Sequence, residues 1–282
     1  MQSALLVQLA KSLGKRQASL ELRWMRRAID SSHSGIPLDE MVSRRATGEP
    51  LQYILGTQPF GPLNLLTRPP VLIPRPETEH WALMFADRVA AMAADTPSHR
   101  RLKLLDLGTG TGCLPLLLAH TVPQGKLDTH AVDISQHALR LANENAALCG
   151  IPSQSASKNT FRTYLADFLA NDFPGPSLAS ALPIDVLVSN PPYIPDNEKL
   201  PESVLNYEDP KALFGGPSGL DYYHGIARLL MRPGLFSTNA VVALEVGHKQ
   251  ADIVEALLRD TGRKTTVCLD PWGVKRAVIG YM

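Results

Sequence analysis

The residues best suited to chemistry form a short polar segment behind an apolar run. Asn190-Pro191-Pro192-Tyr193 directly follows Val186-Leu187-Val188-Ser189. Neither proline has a backbone N–H, so we expect the local carbonyls and the Asn190 side-chain oxygen to serve as acceptors, while Tyr193 offers a flat ring. Two acceptors beside a ring can hold both N–H bonds of a planar amino group and aim its nitrogen at an electrophile. The alternative is an ordinary turn at the end of a strand.

A glycine-rich turn precedes this segment in the chain and is predicted to bind a small molecule. It has the spacing G-x-G-x-G and no following Lys-Ser/Thr, so it matches neither the dinucleotide fingerprint nor a phosphate-binding loop. Such a turn suits S-adenosylmethionine, which has no phosphate and whose cationic amino group would favour a nearby carboxylate. A plain tight turn is the alternative. The predicted cofactor residues of the turn are Asp106, Gly108, Thr109, Gly110, Thr111 and Gly112.

Acidic residues also follow the next two predicted strands. Asp133 comes 27 residues after Asp106, where a carboxylate can accept hydrogen bonds from both ribose hydroxyls of a nucleoside. Asp167 and Phe168 follow the third strand, where a polar group can hold an adenine amino group beside an aromatic ring. One acidic strand end is usually a helix cap. Three acidic strand ends, at Asp106, Asp133 and Asp167, together with the glycine turn favour a cofactor site, to which Asn190 also belongs.

The elements that must position these residues alternate between apolar runs and helical patterns. This alternation is typical of an α/β fold in which helices cover both faces of a parallel sheet, here with a final hairpin that adds an antiparallel strand. The Ser-, Pro- and Ala-rich residues 151–162 and 174–183 are predicted to be surface insertions. The predicted strands are Lys103–Leu107, Leu127–Val132, Thr163–Ala166, Ile184–Ser189, Ala240–Val246, Thr265–Leu269 and Ala277–Tyr281, and the predicted helices are Leu114–His120, Ser135–Leu148 and Gln250–Arg259.

Three domains are predicted along the chain. Residues 1–47 carry apolar residues at helical spacing and form a helical N-terminal domain. Residues 48–98 form a connector, because prolines between positions 50 and 76 exclude a long helix there. The connector is expected to hold the extended pieces Leu51–Leu55, Leu63–Leu66 and Val71–Ile73, then a helix over Thr78–Ala94. Residues 99–282 form the domain that contains the predicted site.

Composition excludes several classes of protein. The chain of 282 residues has a formal charge of +1, which gives no overall attraction to nucleic acid. Cys113, Cys149 and Cys268 lie far apart, so neither a disulfide framework nor a zinc knuckle is indicated, and no metal is predicted. No apolar run reaches the length of a membrane span.

The motifs together resemble the HemK/PrmC family of protein-(glutamine-N5) methyltransferases, which modify the GGQ glutamine of class I peptide-chain release factors. The resemblance begins near residue 20 and continues to the C-terminus. The segments that carry it are Asp106–Gly112, Asn190–Pro195, Gly48–Gly56, Leu72–Glu79, Tyr207-Glu208 with Ala212-Leu213, Leu244–Gly247 with Gln250, and Asp270 with Gly273 and Arg276.

The resemblance implies a class I methyltransferase fold with a seven-stranded, mostly parallel sheet. It implies that the enzyme transfers a methyl group from S-adenosylmethionine to a release-factor glutamine and so tunes translation termination. Gly108–Gly112, Asp133, Phe168 and Asn190 would contact the cofactor, and Asn190–Tyr193 the glutamine. Residues 1–47 would recognise the release factor, and Arg75 and Glu77 would form part of the wall of the site.

Two alternatives to this function remain open at the level of sequence. An N6-adenine or N2-guanine nucleic-acid methyltransferase could use the same chemistry on an exocyclic amine, but it would need a basic domain to grip phosphates. A non-catalytic protein on a methyltransferase scaffold is the second alternative, and the intact set of Asp106, Asp133 and Asn190 argues against it. The expected protein is a monomer with no stable nucleic-acid or membrane partner.

The composition of the N-terminal residues gives a prediction of the protein's location in the cell. Residues 1–20 include Lys11, Lys15 and Arg16 but no acidic residue, and leucines recur in them at helical spacing. This pattern is typical of a mitochondrial targeting segment, although it also fits the first helix of the folded protein. Together with the insertions, it predicts a mitochondrial protein, with a cytoplasmic one as the alternative.

Overall fold

The computed structural model describes residues 2–30 and 35–282. Met1 and residues 31–34 of the predicted N-terminal domain therefore lie outside the described residues. Among the described residues, no helix combines the length and the apolar character that crossing a membrane requires.

A small helical unit begins the chain. Its helices bury one apolar cluster that includes Leu9, Leu22, Met25 and Ile54, and the Arg45 guanidinium pairs with the buried Glu21 carboxylate at 2.6 Å. The amphipathic spacing of the sequence thus forms a helical core, as predicted. The helices are α1 (Gln2–Leu13), α2 (Lys15–Asp30), α3 (Leu38–Ala46) and α4 (Leu51–Leu55).

Helix α4 corrects the predicted extended piece at the same residues. Pro50 precedes the helix in an extended conformation and Gly56 ends it with a φ of 78°, the left-handed conformation that glycine adopts readily. Leu51 and Ile54 lie three positions apart and join the apolar cluster of the preceding helices. Burial of this short apolar face outweighs the proline-rich context that predicted an extended chain.

The connector contains one hairpin, formed by β1 (Thr57–Phe60) and β2 (Leu63–Leu66). The prediction of a strand at Leu63–Leu66 is confirmed, and helix α5 (Pro76–Ala94) begins two residues before its predicted start. The predicted extended piece Val71–Ile73 is not a strand. Val71 ends a turn in which its N–H donates to the Arg68 carbonyl at 3.0 Å, and Leu72 and Ile73 follow without regular secondary structure.

A seven-stranded sheet with helices on both faces forms the rest of the molecule, and its strand order is β5-β4-β3-β6-β7-β9-β8. Strands β3 to β7 are parallel, whereas β9 runs antiparallel to both of its neighbours. This confirms the predicted fold. The strands are β3 (Leu102–Leu107), β4 (Leu127–Asp133), β5 (Thr160–Leu165), β6 (Ile184–Ser189), β7 (Phe236–Glu245), β8 (Lys264–Leu269) and β9 (Lys275–Tyr281).

The helices of this region are α6 (Cys113–Thr121), α7 (Gln136–Leu148), α8 (Gly175–Leu178), α9 (Glu202–Leu205), α10 (Asp221–Leu230) and α11 (Ala251–Asp260), with 3-10 turns at Ala179–Ala181 and Pro210–Ala212. The Ser135 hydroxyl caps α7 by accepting from the Ala138 N–H at 3.3 Å. Leu105 and Leu107 of β3 face the layer that contains α10 and α11, while Leu102 and Leu104 face the layer of α5 and α6.

The predictions that residues 151–162 and 174–183 are surface insertions are both partly wrong. Strand β5 begins at Thr160, inside the predicted insertion 151–162, because Thr160 to Arg162 continue the register opposite Asp128 to His130. Residues 174–183 form short helical turns that bury Leu178 and Ala181 in the core. Their Ser- and Pro-rich composition does not reveal these two apolar anchors.

Candidate active site

An open cleft with about 860 Å³ of empty space lies at the carboxyl edge of the parallel strands. Strands β3 and β6 are neighbours there, although β4 and β5 separate them in the chain. At such a switch point the following loops diverge and leave a crevice, the usual ligand site of open α/β sheets. The residues that line the cleft are Pro70, Val71, Leu72, Gly108, Gly110, Asp133, Ile134, Ser135, Ala138, Asp167, Phe168, Leu169, Asn190, Pro192, Asp209, Lys211, Ala212 and Tyr222.

The glycine turn lines one wall of this cleft through Gly108 and Gly110. Gly108, Gly110 and Gly112 all have φ between 56° and 80°, which side chains with a Cβ rarely adopt. The Gly108 N–H donates to the Val132 carbonyl at 2.9 Å, and the Gly110 N–H donates to the Asp133 carboxylate at 2.9 Å. The turn is therefore tied to the end of β4 while its backbone faces the cleft.

Three buried residues of this turn, none of which lines the cleft, carry polar atoms that have no hydrogen-bond partner among the described residues. These atoms are both oxygens of the Asp106 carboxylate and the hydroxyls of Thr109 and Thr111. Burial raises the pKa of Asp106 to about 7, and the nearby Thr109 hydroxyl opposes that rise. An unpaired buried carboxylate is costly, and a cation placed close to it recovers part of that cost. These residues therefore fit a ligand with a cationic group, such as the amino group of S-adenosylmethionine.

Asp133, Asp167 and Phe168 lie on one side of the cleft, as predicted from their positions after β4 and β5. The two oxygens of Asp133 accept hydrogen bonds from the N–H groups of Gly110 and Ser135, and each oxygen retains capacity for a further donor. Burial raises the pKa of Asp133, and the backbone N–H donors oppose that rise. The Phe168 ring packs against Tyr222 with ring centroids 5.6 Å apart, which gives this side an aromatic surface.

The opposite wall contains Asn190 and Pro192, whereas Pro191 is buried and Tyr193 is not among the lining residues. The prediction that the local carbonyls are free acceptors holds only in part. The Tyr193 carbonyl accepts a hydrogen bond of 2.9 Å from the Gln250 side-chain amide. The same amide nitrogen lies 3.3 Å from the Gly219 carbonyl, and the Gln250 oxygen accepts from the Gly247 N–H at 3.0 Å.

A loop packs directly against the back of this wall. The Ile194 N–H donates to the Leu213 carbonyl at 3.0 Å, and the Ile194 carbonyl accepts from the Gly215 N–H at 2.9 Å. A Cβ on Gly215 would lie 2.4 Å from the Pro192 carbonyl oxygen, so only glycine permits this approach. The Asn190–Tyr193 segment is consequently held from behind by backbone contacts.

The connector closes one end of the cleft. The Arg75 guanidinium pairs with the buried Glu208 carboxylate at 2.5 Å, and the Asp209 N–H donates to the Pro70 carbonyl at 2.8 Å. Glu77 lies 3.9 Å from the Arg276 guanidinium. Neither Arg75 nor Glu77 lines the cofactor cleft. Both instead join the connector to elements that flank the Asn190–Tyr193 segment.

Three residues of this site were not predicted from the sequence. Glu245, the last residue of β7, is buried and accepts from the Trp81 indole N–H at 2.9 Å, and burial raises its pKa to about 7. Gln250 braces the Tyr193 carbonyl, and Lys211 lines the cleft. The resemblance included the segments of Glu245 and Gln250 but gave them no role, and only the acidic strand end of Glu245 offered a signal.

Known proteins agree with this architecture. Residues 98–268 match the family described as "Methyltransferase domain" and residues 5–56 match the "PrmC N-terminal domain". The chain has the same fold as the hMettl16 catalytic domain, with a TM-score of 0.54 and 17% identity over 86% of this chain and 82% of that one. It also has the fold of a methyltransferase from Pyrococcus furiosus, with a TM-score of 0.51 and 14% identity over 78% of this chain and 89% of that one.

Curated relatives narrow the family. A release factor glutamine methyltransferase of Koribacter versatilis is 37% identical over 248 residues, which are 86% of this chain and 78% of the relative. One of Moorella thermoacetica is 36% identical over 249 residues, with the same two shares. The methyl donor of this methyltransferase domain is S-adenosylmethionine. The chain belongs to the family of release factor glutamine methyltransferases.

Proposed function

We propose that this protein transfers a methyl group from S-adenosylmethionine to the side-chain amide nitrogen of the GGQ glutamine of a class I peptide-chain release factor and thereby tunes translation termination. The observation that carries the proposal is the position of Asn190 and Pro192, which follow β6 and line the cleft beside the glycine turn of the neighbouring strand β3. This arrangement brings acceptors for a planar amide to the site where the methyl donor binds. The names of the curated relatives support the same substrate.

The reaction needs an amide nitrogen to act as a nucleophile. In a free amide its lone pair is delocalised into the carbonyl group. Asn190 and the backbone carbonyl of Pro191 accept the two N–H bonds, since the Pro192 carbonyl faces Gly215 behind the wall. They fix the nitrogen toward the methyl carbon, which lowers the barrier by positioning and preorganised dipoles. The new N–C bond forms as the S–C bond breaks, so the sulfonium becomes a neutral thioether. The amide proton leaves afterwards.

The remaining predicted residues divide between the two ligands. Gly108 and Gly110 place their backbone against the donor, and Asp106 balances its cationic amino group from below. Asp133 holds the ribose hydroxyls, while Asp167 and Phe168 hold the adenine. Tyr193 packs beside the glutamine, and Arg75 and Glu77 shape the wall through which the substrate loop enters.

Transfer of a labelled methyl group tests this function. The wild-type enzyme is incubated with labelled S-adenosylmethionine and a purified class I release factor, next to the same factor with its GGQ glutamine replaced by alanine. We expect label on the normal factor alone. Label on both factors would place the methyl group elsewhere. If neither factor is labelled although the cofactor binds, a nucleic-acid substrate becomes the better explanation, and nuclease competition would then test it.

We further propose that the protein is a monomer in mitochondria, with a cytoplasmic location as the alternative. The basic, acid-free residues 1–20 support the mitochondrial location. Leu9 of the same segment is buried in the N-terminal helical cluster, so we expect the segment to be retained after import.

A fluorescent protein fused behind residues 1–20 tests the location, and light scattering of the full chain tests the oligomeric state. Diffuse cytoplasmic fluorescence would contradict the mitochondrial proposal.

A further inference from the structure

The turn between β8 and β9 presents an exposed tryptophan. Trp272 is 82% exposed, the largest exposed fraction among the large apolar side chains of the described residues. Leu269, just before the turn, is 49% exposed. Tryptophan combines a large apolar surface with few rotatable bonds, and exposed examples are the strongest single contributors to protein interfaces.

The turn that carries Trp272 is held rigidly. The buried Asp270 carboxylate accepts hydrogen bonds of 2.9 Å from both the Trp272 and Val274 N–H groups. It also accepts one of 2.8 Å from the Arg276 guanidinium. These three donors fix the backbone on both sides of the indole. A preorganised turn loses little conformational freedom when its side chain binds a partner.

Sheet topology places this turn beside the site of methyl transfer. Strand β9 runs antiparallel to β7, with Ala277 opposite Glu245, so the turn before β9 lies at the carboxyl edge of the parallel strands. That edge also carries the Asn190–Tyr193 segment after β6. Arg276 lies 3.9 Å from Glu77, and its carbonyl accepts from the Val246 N–H at 2.9 Å. The turn therefore lies at the same edge of the sheet as the Asn190–Tyr193 segment, with β7 between β6 and β9.

We propose that the Asp270–Val274 turn is a docking surface for the protein substrate, in which Trp272 packs on an apolar patch of the release factor outside the methylated loop. This inference rests on the proposed function and names a second point of contact with the same partner. A substrate whose glutamine reaches the Asn190–Tyr193 segment approaches the carboxyl edge of the sheet, which also carries the Asp270–Val274 turn. The cofactor and the glutamine side chain themselves do not reach this position.

A comparison of two substrates isolates the contact. Methylation of a whole release factor and of a short peptide that contains only the GGQ loop is measured with the wild type and with Trp272→Ala. We expect the KM for the whole factor to rise about tenfold, while its kcat, the kinetics on the peptide and the Kd for S-adenosylmethionine remain unchanged. Trp272→Phe should restore most of the affinity because the ring surface is largely kept.

Met231→Ala is the matched control. Met231 is 63% exposed but follows α10, whose C-terminal end lies at the opposite edge of the sheet, where β7 begins. We expect this variant to match the wild type on both substrates, and thermal melting should show that all variants fold. An unchanged KM for the whole factor in Trp272→Ala, or an equal rise with the peptide, would overturn the docking surface. Absence of wild-type methylation on both substrates would overturn the proposed function as well.

Discussion

The two walls of the cleft differ in how their polar groups are satisfied. At the glycine turn, the carboxylate of Asp106 and the hydroxyls of Thr109 and Thr111 are buried without partners among the described residues. On the Asn190–Tyr193 wall, the Tyr193 carbonyl and both backbone groups of Ile194 are paired with neighbouring segments. The first wall retains unused hydrogen-bonding capacity, and the second is held fixed from behind.

This difference assigns the two walls different tasks. Unpaired buried groups are stabilised by a ligand that supplies the missing charge or hydrogen bond, so the glycine wall should govern cofactor affinity. The polar groups of the Asn190–Tyr193 wall are already paired, so a ligand does not stabilise them in this way. Their pairing instead keeps Asn190 in a fixed orientation, which matters because small displacements of a reacting group slow catalysis strongly. Substitutions on the first wall should therefore change binding, and those on the second should change turnover.

Asn190→Ala should have the largest effect. We expect kcat to fall by about 10²–10³-fold, because one of the two acceptors that hold the amide is lost. The Kd for S-adenosylmethionine should change only a few-fold and the melting temperature should remain the same. Single-turnover kinetics and calorimetry measure these quantities, with the exposed Asn239→Ala as the control. Wild-type turnover by a folded Asn190→Ala protein would remove Asn190 from the mechanism.

Asp133→Ala should produce the opposite pattern. We expect the Kd for S-adenosylmethionine to rise by about tenfold or more, because a charged acceptor for ribose hydroxyls is lost and the Gly110 and Ser135 N–H groups lose their partner. Turnover at saturating cofactor should fall much less. Calorimetric titration checks this, with the exposed Asp87→Ala as the control. An unchanged Kd would refute the role of Asp133.

Gln250→Ala tests whether the hydrogen bond from Gln250 to the Tyr193 carbonyl supports turnover. The variant removes the donor to the Tyr193 carbonyl without touching either ligand, so we expect kcat to fall about tenfold through loss of orientation while the cofactor Kd stays constant. Steady-state kinetics at saturating cofactor separates the two quantities. A variant that loses cofactor affinity but keeps its turnover would show that the second wall also governs binding.

The pH dependence of cofactor binding follows from Asp106. Because burial raises its pKa to about 7, the carboxylate is increasingly protonated below that pH and no longer attracts a cation. Affinity should therefore rise with pH through neutrality and level off above it, with about tenfold weaker binding one pH unit below the pKa than on the plateau. Calorimetry across this range should show the slope in the wild type and a flat profile in Asp106→Asn.

Glu208→Gln should have the smallest effect. It weakens the ion pair between Arg75 and Glu208, which holds the loop whose residues Asp209 and Lys211 line the cleft. We therefore expect the cofactor Kd to rise a few-fold. Glu21→Gln disrupts an equally buried ion pair in the N-terminal helical unit and provides the matched control. Equal changes in Kd for both variants would indicate a general loss of stability rather than a local opening of the cleft.

Much of the fold followed from periodic patterns in the sequence. The strand Ile184–Ser189 was predicted with its observed bounds because a parallel strand buried on both faces is mostly apolar, and only Asp185 interrupts the run from Ile184 to Val188. The helix Leu51–Leu55 and the early start of β5 were not predictable in the same way. Both depend on partners far away in the chain, the N-terminal apolar cluster for the first and β4 for the second.

The residues of the candidate site also divide into those that a local pattern predicts and those that depend on distant contacts. Asp133, Asp167 and Asn190 were predictable because each follows a strand, and parallel strands bring their carboxyl ends together. Gln250 and Glu208 act through single long-range contacts, to the Tyr193 carbonyl and the Arg75 guanidinium. No local pattern encodes those contacts. The close approach of Gly215 to the Pro192 carbonyl likewise joins segments that are distant in the chain.

Presentation of a glutamine amide to the methyl donor by the Asn190–Tyr193 wall can be measured on a peptide. A GGQ peptide is incubated with the wild type, and separately with Asn190→Ala, under saturating cofactor and is then sequenced by tandem mass spectrometry. We expect one added methyl group on the glutamine side-chain nitrogen with the wild type and essentially none with the variant. A methyl group on any other residue, or equal methylation by the variant, would show that this wall does not hold the reacting amide.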